Sequence, residues 1–109
     1  MTGPFVYASS LAIDVEKMQR LPAADTITAE TRIVFERITA QLQRAGLTLS
    51  DVVKTTCYIR DESYRAEFLE AYKAAFAPGP YPTRVTVILG LAADCRVQIE
   101  ATAATVGLA

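Results

Sequence analysis

The chain has 109 residues, 51% of them apolar and 21% charged, with eleven basic residues against twelve acidic ones and a net charge of −1. That profile fits one soluble globular domain over residues 1–109. It excludes the basic stripe that a nucleic-acid backbone requires and the run of about 20 apolar residues that spans a membrane. With no His, it also excludes a zinc site or a Cys-His nucleophile.

The start of the chain lacks the cationic segment and apolar core of a secretory signal, so the cytoplasm is the expected compartment. Folding at this length buries about 65% of the surface the unfolded chain exposes. Half of the residues being apolar, the surplus points to self-association. Cys57 and Cys95 lie far apart in apolar contexts and read as two buried thiols. No metal or cofactor is expected.

In chain order, Phe5 to Ser9 follows Gly3-Pro4 and reads as a strand, with Glu16 to Leu21 as a weaker edge paired to it. From Thr26 to Ala45 the residues Ile27, Val34, Phe35, Ile38, Leu42 and Ala45 recur at helical spacing. Glu30, Arg32, Arg37 and Arg44 fall largely on the opposite side of that helix. Asp25 or Thr26 is placed to cap its start, and Gly46 suits a left-handed stop. Val52 to Ile59 is a strand that puts Lys54, Thr56 and Tyr58 on one face and Val53, Thr55, Cys57 and Ile59 on the other.

Asp61 and Ser63 are cap candidates for a second helix running to about Phe76, with Tyr64, Phe68, Leu69, Tyr72, Ala75 and Phe76 as its apolar stripe. Pro78-Gly79-Pro80 ends it. Thr83 to Leu89 and Arg96 to Ala104 read as two strands joined as a hairpin through Gly90 to Cys95. Two amphipathic helices on one face of a small mixed sheet make a two-layer α+β fold. Identical sheets around a symmetry axis are the economical cover for the other face.

Arg84 is the one charged residue between Lys73 and Asp94 and opens an apolar strand. A guanidinium held in such a setting needs a partner, and its planar fork matches a carboxylate. Arg84 is therefore either a receptor for a substrate carboxylate or half of an ion pair with Glu100 or a partner subunit. Gln98 and Glu100 share one face of the last strand, and the hairpin brings either near Arg84. Glu100 can transfer protons, whereas Gln98 can only orient water; spacing leaves open which one faces Arg84. Lys54 reads as a solvated or paired lysine. Tyr58, Tyr72 and Tyr81 read as packed rings with hydroxyls at the rim.

The pattern as a whole resembles the Rid (reactive intermediate deaminase) family. The resemblance rests on Ala45-Gly46-Leu47, Asp51-Val52-Val53-Lys54-Thr55-Thr56, Tyr72 with Phe76, Pro82-Thr83-Arg84, and Val97-Gln98-Ile99-Glu100-Ala101 with Ala103. It covers about Gly3 to Ala104 in family order and implies a chorismate-mutase-like α+β protomer assembled as a homotrimer with clefts between subunits. In that family the arginine at the position of Arg84 binds the carboxylate of a 2-imino or 2-aminoacrylate acid. Backbone groups and an activated water then complete hydrolysis to the 2-keto acid and ammonia.

Several family positions differ. The usual Gly-Pro-Tyr-Ser segment has no counterpart, since Gly79-Pro80-Tyr81 lies elsewhere; of Ser-Gly-Gln after the first strand only Ser9 remains, in Ser9-Ser10-Leu11. Leu69 falls where Asn is common, Thr86 where Cys is common, and Gln98 where the family has the glutamate that handles water. A neutral amide cannot take a proton, so typical activity is slowed unless Glu100 or a Tyr substitutes.

The resemblance implies hydrolytic deamination of a small imine or enamine acid, an enzyme with an altered active site. The candidate catalytic residues are Arg84, Gln98 and Glu100, and Ser9, Leu69, Tyr81 and Thr86 join Arg84 as candidate substrate-binding residues. Two alternatives stand beside it: a specialised biosynthetic enzyme acting on a larger, less polar carboxylic acid in the same cleft, and a non-catalytic ligand-binding trimer. Ribonuclease activity, attributed to some relatives, has little support without His or a basic surface.

Overall fold

A computed structural model describes residues 3–105; of the domain expected over 1–109, residues 1, 2 and 106–109 lie outside the described residues. The elements are β1 (Phe5–Leu11), β2 (Ile13–Asp14), β3 (Gln19–Arg20), α1 (Ile27–Gln43), β4 (Val52–Ile59), α2 (Arg65–Phe76), β5 (Thr83–Ile88) and β6 (Val97–Ala104). Four strands form one sheet in the order β1-β6-β4-β5, and β2 pairs with β3 in a separate ribbon. The mixed sheet with two helices matches the two-layer α+β expectation. No helix among the described residues is long and apolar enough to cross a membrane.

Two strand pairings differ from the sequence reading. Residues 16–21 do not pair with β1; β3 turns back on β2 instead, so the segment forms its own ribbon. The hairpin between the last two strands is also absent. β5 pairs in parallel with β4, and β4 lies between β5 and β6, antiparallel to the latter. The reason is the unit β4-α2-β5: a strand, a crossover helix and a returning parallel strand, whose helix packs back onto the sheet. The connection 89–96 then carries the chain past the end of β4 to the central position of β6.

The start of α1 is set by a side-chain cap and its end by a backbone turn. Thr26 Oγ1 accepts the amide of Ala29 at 3.0 Å, satisfying an orphan donor at the start of α1. At its other end Leu47 N–H donates to Leu42 O, and Gly46 N–H to Gln43 O, with Gly46 at φ +75°; that left-handed turn favours glycine. Asp61 caps the short turn leading into α2 by accepting the amide of Ser63.

The core lies between the helices and one sheet face. Val34, Phe35, Ile38 and Leu42 of α1 and Phe68, Tyr72 and Phe76 of α2 close over Cys57, Ile59, Val97, Ile99, Ala101 and Ala103. Phe35 meets Phe76 and Tyr72 edge-on, with ring centres 5.3 and 5.7 Å apart, a geometry worth about 0.5–1.5 kcal/mol per pair beyond burial. Cys57 and Cys95 are buried free thiols. Burial pushes the Cys57 thiol up to about 11, against the lowering effects of its Thr55 hydrogen bond and Arg84.

One polar residue breaks the helical pattern. Glu30, expected on the solvent side of α1, is fully buried. Its carboxylate accepts the backbone amides of Arg96 and Val97 at 2.7 and 3.1 Å and the Arg96 side chain at 2.7 Å. The start of β6 leaves those two amides needing acceptors inside the protein, and Glu30 supplies both. Arg37 likewise turns inward, donating to the carbonyls of Leu11 and Ile13 at 2.7 and 3.0 Å.

Candidate active site

Register decides which side chains meet. In the parallel pair β4-β5, Thr55 lies opposite Arg84 and Cys57 opposite Thr86, so Arg84 and Thr86 belong to the helix-covered side of the sheet. α2 stops short of covering the β5 edge, which leaves Arg84 exposed above it. Its guanidinium carbon stands 5.6 Å from the Tyr72 ring centre, a cation–π arrangement. Its Nη1 donates to Thr86 Oγ1, so Thr86 orients the arginine.

Around this guanidinium is an open cleft of about 270 Å³ lined by Leu69, Tyr72, Lys73, Tyr81, Pro82 and Arg84. Three candidates from the sequence, Arg84, Leu69 and Tyr81, thus share one cleft, and Thr86 joins through its bond to Arg84. Gly79, at φ +107°, makes the turn that delivers Tyr81; an added Cβ there would lie 3.3 Å from the Tyr81 ring. Lys73, which sequence reasoning passed over, adds a second cation. Among the described residues two cations and no carboxylate line the cleft, an arrangement suited to an anion set against apolar walls.

Gln98 and Glu100 are elsewhere. β6 places them on the uncovered face, where Leu11 lies opposite Gln98 and Ser9 opposite Glu100. Neither meets Arg84 within the chain, because β4 intervenes and the side chains point to opposite faces. The ion pair between Arg84 and Glu100 weighed from the sequence is therefore absent within this chain. Instead Glu100 accepts a hydrogen bond from the Tyr58 hydroxyl. That bond pushes the Tyr58 phenol above its ordinary value, since the hydroxyl donates to a carboxylate.

Tyr58, Gln98 and Glu100 line a second, polar pocket of about 270 Å³, walled by Leu89 to Ala92. Arg60 shapes that wall. Its side chain donates to the carbonyls of Leu91, Ala93 and Cys95 at 2.7, 2.9 and 2.8 Å, fastening the 89–96 connection to β4. Ser9 lies farther along the same face, its amide and carbonyl both bonded to the Gln41 side chain.

The uncovered face also exposes Tyr7, Val85 and Val87. The larger groove between α1 and α2, about 520 Å³, holds none of the candidate residues. Among the described residues, no three His, Cys, Asp or Glu side chains converge as a metal site.

Known proteins share this fold. The family model described as Endoribonuclease L-PSP matches residues 1–105. A 2-iminobutanoate/2-iminopropanoate deaminase of Salmonella typhimurium is 30% identical over 111 residues, spanning 93% of this chain and 87% of that protein. A RutC family protein of Pyrococcus abyssi is 35% identical, spanning 93% and 79%.

Among solved structures, RidA from the Antarctic bacterium Psychrobacter superposes with a TM-score of 0.81 at 32% identity, covering 95% of this chain and 83% of that one. Escherichia coli TdcF with bound serine superposes with a TM-score of 0.81 at 26% identity, covering 95% and 83%. With a family model matching nearly the whole sequence and deaminase relatives at 30% identity, the chain belongs to the Rid family.

Proposed function

We propose that this protein hydrolyses a small 2-imino or enamine carboxylic acid to the 2-keto acid and ammonia, the substrate carboxylate being held by Arg84. The observation that carries this reading is the Arg84 cleft: an exposed guanidinium fixed by Thr86 and Tyr72, with Lys73 beside it, no carboxylate to neutralise it, and Leu69 and Tyr81 as apolar walls. The relative named a 2-iminobutanoate/2-iminopropanoate deaminase supports the same chemistry, and the TdcF structure holds an amino acid.

The protein acts as a homotrimer of one-domain subunits, with each site shared between two copies. Two observations support the assembly. The uncovered sheet face presents Tyr7, Val85 and Val87 to solvent in the isolated chain. The carboxylate-binding cleft and the pocket of Gln98 and Glu100 lie on opposite sides of the protomer's sheet, so a neighbouring copy is what unites them. Arg84 then anchors, Thr86 holds Arg84 in place, Ser9 and Tyr81 border the substrate, and Gln98 and Glu100 attend to water.

Ammonia release from 2-iminopropanoate above the spontaneous rate tests the activity, and a trimer mass by light scattering tests the assembly. The alternative of a larger substrate rests on Leu69, whose side chain lines the cleft and favours a longer, less polar acid. A preference for longer-chain imines over 2-iminopropanoate selects it.

A further inference from the structure

Imine hydrolysis, the reading on which this inference rests, needs a group that takes a proton from water and returns one to nitrogen. Neither Arg84 nor Lys73 serves as a base while charged, and the side-chain amide of Gln98 neither accepts nor releases a proton near neutrality. Among the described residues that line the Arg84 cleft and the Gln98 pocket there is one carboxylate, Glu100.

Its placement is specific. Tyr58 lies opposite Gln98 across the β4-β6 ladder, yet its hydroxyl reaches diagonally to Glu100 Oε1. One carboxylate oxygen is thereby held by Tyr58, and Glu100 lines the same pocket as Gln98.

We infer that Glu100 is the proton-transfer residue of this protein, that Tyr58 is its positioning residue, and that Gln98 orients the attacking water. In the addition step the water oxygen bonds to C2 of the imine as one water proton passes to Glu100 and the imine nitrogen is protonated from it. In the collapse step the carbinolamine hydroxyl proton passes to Glu100 and on to nitrogen, the C2–N bond breaks, and ammonia leaves with the keto oxygen formed. The sum is imine plus water giving keto acid plus ammonia, with Glu100 returned to its carboxylate.

The test uses the full chain, with 2-iminopropanoate and 2-iminobutanoate as probes, and compares native protein, Arg84→Ala, Tyr58→Phe, Glu100→Gln, and Glu100→Gln combined with Gln98→Glu. Circular dichroism and light scattering confirm fold and mass. Glu100→Gln should lower kcat by about 100-fold with KM little changed. Tyr58→Phe, which removes one hydroxyl and keeps the ring, should lower kcat by about tenfold, again without a matching change in KM. Moving the carboxylate to position 98 should recover at least about tenfold of the activity lost in Glu100→Gln.

Native kcat in Glu100→Gln overturns the inference while Arg84-dependent turnover leaves the deaminase reading intact. If Glu100→Gln does not fold, native kcat in Tyr58→Phe overturns it alone. Absence of any Arg84-dependent turnover overturns the reading and the inference together.

Discussion

The Arg84 guanidinium stands over the Tyr72 ring at 5.6 Å, and the hydroxyl of that ring is hydrogen-bonded to the buried Thr55 at 2.6 Å. Tyr72 thereby belongs to the core at one end and to the Arg84 cleft at the other. Its two roles separate by substitution. Tyr72→Phe should cost about 1 kcal/mol of stability through the lost hydrogen bond and leave affinity for 2-ketobutanoate within about twofold. Tyr72→Leu, which removes the ring, should weaken that affinity several-fold as well. Denaturant unfolding and calorimetric titration measure the two effects; equal affinities for the Leu variant and the native protein would remove Tyr72 from the site.

Leu69 sets the apolar character of the cleft. Replacing it with Asn should lower the preference for a longer-chain imine over 2-iminopropanoate by about tenfold, the scale of one or two methylene groups in an apolar pocket. The ratio of kcat/KM values for the two imines measures it, and an unchanged ratio would place Leu69 outside the substrate's reach.

Glu30 joins α1 to the start of β6 through two backbone amides and Arg96. Glu30→Ala should destabilise the protein by about 3–5 kcal/mol, because it leaves a largely buried guanidinium and two amides without their acceptor. Urea unfolding reads this directly. A loss below about 1 kcal/mol would mean that water replaces the carboxylate.

Alkaline stability follows from Cys57. Its thiol is raised from 9.0 to about 11 in the folded chain, chiefly by burial, so the unfolded chain ionises first. Stability from this group is complete below pH 9 and is lost as pH rises through about 11. The loss amounts to about 2–3 kcal/mol. Unfolding in reducing buffer below pH 9 and near pH 11 should show a smaller fall for Cys57→Ala than for the native chain. Parallel falls would contradict the shift.

Much of this fold is legible in the amino-acid order. The stripe from Ile27 to Leu42, the alternation from Thr55 to Ile59 and the Phe68, Tyr72, Phe76 spacing each settle an element and its inner face. The partner of β5 is not legible, because Thr83 to Ile88 would suit a hairpin arm or a parallel edge equally well, and the α2 crossover decides between them. The site divides in the same way. Arg84, Leu69 and Tyr81 line one cleft, whereas Gln98 and Glu100 share a face with each other and lie across the sheet from Arg84. Glu30, Arg37 and Arg60 escape a periodicity argument because most of their partners are backbone groups, whose positions only the folded chain defines.

The central claim, that Arg84 anchors an imino acid for hydrolysis, is tested most directly by ammonia release from 2-iminopropanoate and 2-iminobutanoate generated in situ. Native protein and Arg84→Ala are compared after both are shown to be folded and of equal assembled mass. Acceleration over the spontaneous reaction by the native protein, reduced to the spontaneous rate in Arg84→Ala, is the predicted result. Equal rates for the two proteins, or no acceleration by the native protein, would contradict it.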